Sequence, residues 1–124
     1  MINTFNEDKK SNFLIICDHA SNHIPAEYNG LGLSRAILDT HIAYDIGVKE
    51  VALNVSKLLK CPLVMTDFSR LLIDANRGID DPTLIMKISD ESLIEGNKNI
   101  SFRDNGDEKK KRIKFFYEVY HNKI

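Results

Sequence analysis

The chain has 124 residues, 43% of them hydrophobic and 28% charged, which suits one domain or part of one with a packed core. Its 17 basic and 18 acidic residues give a net charge of −1, which argues against a dedicated nucleic-acid-binding protein. No stretch approaches the roughly 20 apolar residues of a membrane span, and the N-terminus lacks the apolar stretch of a signal peptide. We therefore expect a cytoplasmic protein with neither nucleic-acid nor membrane partners. Cys17 and Cys61 are expected to be buried, reduced thiols.

The first part of the chain predicts one strand and one short helix. Residues 1–11 are polar and are expected to be a loose lead-in to a domain that spans 12–124. The apolar run 13–17 predicts a buried strand that ends in a polar loop. Ser34 is a favourable N-cap and predicts a short helix that reaches about His41.

The clearest helix signal covers residues 44–60. Its apolar residues recur with helical spacing and form one stripe: Val48, Val51, Ala52, Val55, Leu58 and Leu59. Pro62 cannot continue the helix, and the apolar runs 63–65 and 71–73 predict a second and a third strand. A long helix between strands indicates a layered α/β fold.

The last part of the chain predicts an irregular segment over 79–105 and a second helix over 107–121. The apolar stripe of that helix consists of Ile113, Phe116, Tyr117 and Tyr120. The basic run 109–112 lies among acidic residues, so we interpret it as a solvated helix face rather than a nucleic-acid patch.

Two polar clusters contain residue types that bind metal ions. His19 directly follows the first predicted strand, where a neutral imidazole can ligate Zn²⁺ and the neighbouring Asp18 could orient the ring. A loop histidine with a local hydrogen bond is the alternative. Asp45 either favours the start of the long helix through the helix dipole or completes a metal site with His19. His23 and His41 are spare candidates that no spacing selects.

A third polar cluster, residues 70–77, contains a candidate anion site. Arg77 can grip a carboxylate with two hydrogen bonds, and the neighbouring Asn76 adds a neutral donor. A solvated surface arginine is the alternative. The chain has no G-x-S-x-G nucleophile motif and no phosphate-binding glycine loop.

Taken together, the ordered motifs resemble the N-formylglutamate amidohydrolase family over roughly residues 13 to 124. Several motifs in the expected order are more specific than any one of them. They lie at 17–22, 24–25, 31–33, 41–47, 68–77, 81–82, 89–90, 96–97 and 120–121.

The resemblance implies a zinc-dependent hydrolase with a layered helix–sheet–helix fold of the metallocarboxypeptidase type. The implied reaction converts N-formyl-L-glutamate, or a similar N-acyl amino acid, to formate and L-glutamate, a step in histidine degradation. His19 would be the first metal ligand and Asp45 the second. Asn76 and Arg77 would grip a glutamate carboxylate, and Arg70 is a further anion contact.

The resemblance also implies that this chain is the N-terminal half of the enzyme. Metallocarboxypeptidases carry a glutamate three residues after the first histidine, where this chain has Asn22, so Asn22 and Asp18 are expected to lie around the metal rather than on it. The general base and a later histidine are expected beyond Ile124. We therefore expect an incomplete fold, little or no hydrolase activity of the isolated chain, and a partner chain that completes the domain.

Two alternative functions remain open at the level of the sequence. A non-catalytic module could bind acidic ligands through Arg77 without tight zinc. A subunit-interaction protein could dock on a partner through the helix at 107–121.

Overall fold

A computed structural model describes residues 1–100 and 106–124, and it shows a mixed α/β arrangement. Three strands form the main sheet: β1 (Ile2–Phe5), β2 (Ile15–Cys17) and β3 (Leu63–Thr66). Their order in the sheet is β1-β3-β2, so β3 is central. β1 pairs with β3 antiparallel, and β2 pairs with β3 parallel.

The connection from β2 to β3 contains the predicted helices. A 3₁₀ segment, Ala26–Gly32, precedes α1 (Arg35–Leu38), and α2 (Val48–Leu59) leads back to the sheet. The Ser34 side chain accepts a hydrogen bond from the backbone N–H of Ile37 (3.3 Å), which confirms Ser34 as the N-cap of α1. Both helices are confirmed, although each is shorter than the apolar pattern suggested.

The part of the chain after β3 is mostly irregular before it ends in a helical segment. A small hairpin joins β4 (Ile88–Ser89) to β5 (Ser92–Leu93), and a 3₁₀ turn follows at Glu95–Asn97. The helical segment consists of α3 (Asp107–Arg112), a π-helical stretch (Ile113–Tyr117) and α4 (Glu118–His121), as predicted. The end of the predicted irregular segment, 101–105, lies outside the described residues.

Elements pack on both faces of the sheet because successive side chains of a strand point in opposite directions. Leu63 and Met65 of β3 pack with Ala52 of α2 on one face. Val64 belongs to the main core on the other face, together with Phe116 and Tyr120.

Two predictions about strands are wrong. Residues 71–73 form a buried turn instead of a third strand. Side chains, rather than a neighbouring strand, satisfy their backbone: Asn97 donates to the Leu71 carbonyl (2.7 Å) and Arg112 to the Leu72 carbonyl (3.0 Å). The lead-in 1–11 is not loose throughout, because residues 2–5 form β1, whose Ile2 packs against the main core.

The interpretation of the basic run 109–112 as a solvated face is wrong for two of its residues. Lys109 and Arg112 are buried, and Arg112 is only 2% exposed.

Both thiols, Cys17 and Cys61, are buried and free, as predicted. Over the described ranges, none of the helices has the length and apolar character that crossing a membrane requires.

Candidate metal and substrate site

The centre of the candidate site is His19, in the loop that follows β2. Its Nε2 lies 2.7 Å from Oδ1 of Asp74, and its Nδ1 lies 3.4 Å from Oδ2 of Asp45. The backbone N–H of Asp45 also donates to the carbonyl of His19 (3.0 Å). The structure therefore brings together the two residues that the sequence marked as metal ligands, although they are far apart in the chain.

The hydrogen bonds around the imidazole indicate which nitrogen carries the proton. Asp74 is a carboxylate and can only accept, so Nε2 of His19 donates to it. On the other side of the ring, Nη1 of Arg70 lies 3.3 Å from Nδ1 and can only donate. The lone pair of Nδ1 therefore points to the side where Asp45 lies, which is the tautomer that a metal-binding histidine needs.

Charge and burial both shift the pKa values of His19 and Asp74. Burial lowers the pKa of His19, but the hydrogen bond to Asp74 and the charge of that carboxylate outweigh burial and raise the pKa. Burial raises the pKa of Asp74, which is 1% exposed, yet hydrogen bonds from His19 and from the backbone N–H of Asn76 (2.9 Å) lower it below its usual value. Asp74 is thus held as a carboxylate in the core.

Arg70 lies against both metal-ligand candidates. Its guanidinium donates to the carboxylate of Asp45, to the carbonyl of His41 (2.7 Å) and to Nδ1 of His19. A positive charge therefore already occupies the space between an imidazole nitrogen and a carboxylate. This is where a cation would be favoured.

Backbone hydrogen bonds fix the loop 69–77 against the loops that carry His19 and Asp45. The N–H of Ser69 donates to the carbonyl of His23 (2.8 Å), and its hydroxyl donates to the carbonyl of Ala43 (2.7 Å). The N–H of Asp74 donates to the carbonyl of Leu84 (2.8 Å). The site is therefore assembled from loops that these hydrogen bonds join to one another.

Two side chains expected around the metal have other partners. Asp18 accepts a hydrogen bond from the hydroxyl of Tyr120 (2.5 Å), so it does not take the ring-orienting place, which Asp74 has instead. The amide of Asn22 donates to the carbonyl of Leu38 (3.0 Å) and to Asp39 (3.0 Å), and so fastens the end of α1.

A cleft of about 280 Å³ adjoins the cluster, and it contains two of the three predicted substrate-binding residues. Its lining is His41, Ile42, Arg70, Asp74, Arg77, Met86, Ser89 and Asp90. Nε of Arg77 donates to Thr83 (3.1 Å) and Nη1 to the carbonyl of Asn76 (3.0 Å). Asn76 and Arg77 are both exposed, so their polar groups are accessible to a ligand.

The other histidines lie outside the cluster. His41 is exposed and lies 3.4 Å from Asp90, and Nε2 of His121 donates to the carbonyl of Ala75 (3.0 Å). His23 holds the loop through its backbone carbonyl. Within 1–100 and 106–124, no group of three or more His, Cys, Asp or Glu side chains is arranged to hold a metal ion.

Sequence reasoning missed the role of Asp74. The residue follows an apolar run that looked like a strand, and a strand-end carboxylate has many uses. The signal that could have found it is Asp-x-Asn-Arg at 74–77, because an aspartate commonly accepts from the backbone N–H two residues later.

Comparisons with known proteins identify the family of the chain. The model of the N-formylglutamate amidohydrolase family matches residues 11–124. Among solved structures, a gene product from Agrobacterium tumefaciens is similar, with a TM-score of 0.90 and 34% sequence identity. The match covers 98% of this chain and 47% of the Agrobacterium chain, so this chain spans about half of that protein's length. No curated protein matched the chain.

The site places an imidazole and a carboxylate side by side, next to a cleft that arginines line. The family match extends over most of the chain. The chain therefore belongs to the N-formylglutamate amidohydrolase family.

Proposed function

We propose that this chain contributes to zinc-dependent hydrolysis of N-formyl-L-glutamate, or of a similar N-acyl amino acid, to formate and L-glutamate. The observation that carries the proposal is the approach of His19 Nδ1 to Asp45 (3.4 Å) while Asp74 holds the opposite ring nitrogen. The family that the chain belongs to supports the same reaction class.

The donor set fits zinc in kind. Zinc in catalytic sites takes imidazole nitrogen and carboxylate oxygen, usually from three protein residues, and leaves one position for water. His19 and Asp45 would supply two of these ligands, and Asp74 would keep the ring in the ligating tautomer. Bound zinc would polarise the amide carbonyl and lower the pKa of a water molecule.

The arginines would bind and orient the substrate. Arg77 lines the cleft, and its neighbour Asn76 is exposed beside it; a guanidinium and an amide are groups that recognise a carboxylate. Arg70, on the wall between the cleft and His19, adds positive charge for a second anionic group. Holding the substrate in one orientation beside the metal ligands reduces the entropy that the reaction must lose at the barrier.

We further propose that the fold continues as a layered domain of the metallocarboxypeptidase type and that the isolated chain has little or no turnover. The described residues bring the two proposed ligands, His19 and Asp45, together, and the chain spans about half of the Agrobacterium protein. The remaining ligand and the carboxylate that accepts the proton from water would then come from polypeptide outside these 124 residues.

Zinc affinity tests this proposal directly. Competition with a chromophoric chelator should show zinc binding that weakens about tenfold or more in His19→Ala and in Asp45→Asn, because each removes one of two ligands. His41→Ala is the matched control, since His41 is an exposed histidine of the same cleft, and it should bind zinc like the unmodified chain. Equal affinity in all four proteins would refute the assignment of ligands.

Activity provides the second readout. The isolated chain should release almost no formate from N-formyl-L-glutamate in the presence of zinc. Rapid release that disappears in His19→Ala would confirm the reaction and would show that the chain needs no further catalytic residue.

A further inference from the structure

An apolar surface surrounds the outer edge of β2. Its seven residues are between 37% and 80% exposed, and we call them the β2-edge surface: Phe13, Leu14, Ile16, Val51, Val55, Leu58 and Leu59. The most exposed are Leu58 at 80% and Phe13 at 66%. Single exposed apolar residues are ordinary, but a contiguous group along one strand and one helix is typical of an interaction site.

The backbone of β2 is also unpartnered at this edge. In the described part of the chain, β3 is the sole neighbour of β2, because the sheet order is β1-β3-β2. A strand that pairs in parallel is normally covered on both faces and followed by further strands. β2 therefore presents free N–H and C=O groups to which another strand can be added.

The apolar residues lie on both faces of the sheet at this edge. Ile16 is in register with Val64 and so points to the face of the main core. Val51, Val55 and Leu58 lie on α2, which covers the opposite face. To bury this surface, a binding partner must add a strand to β2 and also cover both faces of the sheet, which a short peptide cannot do.

The exposed flank of α2 faces away from the other edge of the sheet. Asn6, just after β1, donates to the carbonyl and the hydroxyl of Ser56 (both 3.3 Å), so that flank of α2 is turned toward β1. At the α-helical angle per residue, Val51 and Leu58 lie on a different flank from Ser56. The unpartnered flank therefore continues the free edge of β2.

The Agrobacterium protein is about twice as long as the part of it that this chain matches. This chain superposes almost entirely on part of that protein, with a TM-score of 0.90, yet matches 47% of its length. Slightly more than half of the Agrobacterium chain thus lies outside the match, and we call it the unmatched part. We propose that the β2-edge surface is the docking surface for a polypeptide equivalent to the unmatched part, which adds a parallel strand to β2 and buries the exposed flank of α2. This proposal does not depend on the proposed reaction.

A second copy of the chain is the competing occupant. Two copies related by a twofold axis would pair β2 with β2 antiparallel, over three residues per copy. Such a short pairing is a weak basis for a stable dimer. The length of the Agrobacterium chain therefore favours the unmatched part over a second copy as the partner that covers the β2-edge surface.

The test co-expresses the tagged 124-residue chain with the unmatched part of the Agrobacterium protein. We expect a 1:1 complex by native mass spectrometry and slowed hydrogen exchange at the amides of β2. Val51→Glu combined with Leu58→Glu should weaken the complex about tenfold or more, because it places two charges in a desolvated interface. Both residues are exposed, so thermal unfolding of the variant alone should match that of the unmodified chain.

The control variant carries its charge on a different surface of the chain. Phe115→Glu changes a comparably exposed apolar residue on the C-terminal helical segment and should leave the complex intact. The proposal is overturned if the two polypeptides do not associate, if the double variant binds as tightly as Phe115→Glu, or if the chain protects β2 by forming a homodimer. None of these readouts involves zinc or turnover.

Discussion

Replacing Arg112 by methionine should strongly destabilise the chain, although the sequence assigns Arg112 to a solvated basic run. The guanidinium is buried, and its Nη1 donates to the carbonyl of Leu72 (3.0 Å) and to Oδ1 of Asn97 (2.6 Å). Its Nε donates to Glu108 (2.8 Å), and its central carbon lies 4.8 Å from the centre of the Tyr28 ring. Arg112 thus ties the C-terminal helical segment to the loop that contains Asp74.

The magnitude follows from the groups that lose their donor. Methionine fills most of the same volume, so little apolar burial is lost. The Leu72 carbonyl and the Asn97 oxygen are left without this donor in the core, at about 1–3 kcal/mol each. The contact with the Tyr28 ring contributes about 0.5–2 kcal/mol more. Glu108 is partly exposed and can be solvated, so it adds little, and the other contributions give an expected total of about 2.5–8 kcal/mol.

Urea denaturation followed by circular dichroism measures this loss. Lys110→Met, an exposed position of the same helix, is the matched control and should change the free energy of unfolding by about 0.5 kcal/mol or less. A loss below about 1 kcal/mol for Arg112→Met would show that the loop does not depend on this buried guanidinium.

Three further predictions concern the site. In the metal-free chain, the raised pKa of His19 stabilises the folded state fully below about pH 6.5, and this stabilisation is lost as the pH rises through the pKa of folded His19. The lowered pKa of Asp74 stabilises the folded state above about pH 3.9, and this stabilisation is lost as the pH falls through the pKa of folded Asp74. Unfolding free energies should therefore show a contribution between about pH 4 and 6.5 that Asp74→Asn removes. Arg70→Met removes a positive charge beside Asp45 and should raise zinc affinity about tenfold by chelator competition, whereas unchanged or lower affinity would contradict the argument. Tyr117→Phe removes the hydrogen bond to the Arg77 carbonyl (2.7 Å) and should cost about 0.5–1.5 kcal/mol in urea, against no loss if the bond contributes nothing.

Much of the fold could be predicted from local patterns. The helical stripe of α2, the Ser34 cap and the apolar run before His19 each depend on residues close in sequence. Residues 71–73 were predicted incorrectly because a short apolar run is buried equally well in a strand or in a turn. Only partners distant in the chain, Asn97 and Arg112, decide between the two. β1 was missed because its pairing with β3 joins residues some sixty positions apart.

In the site, too, local sequence patterns predicted some residues, whereas contacts between residues distant in the chain were missed. The resemblance selected His19 and Asp45, and the structure brings them together. The partner of the imidazole was assigned to the adjacent Asp18 because adjacency is visible in a sequence, whereas Asp74 reaches His19 only through the folded loop 69–77. The α2 stripe was predicted only as one apolar face of a helix, and the exposure of Val51 and Leu58 becomes visible only when the sheet edge beside them is seen.

The most direct test of the central claim is a zinc titration of the ¹⁵N-histidine-labelled chain, followed through the ring nitrogens by long-range proton–nitrogen correlation spectra. We expect that zinc shifts Nδ1 of His19 while its Nε2 keeps the proton donated to Asp74, and that His41 is unaffected. A zinc-induced shift confined to other histidines, or zinc bound through Nε2 of His19, would contradict it.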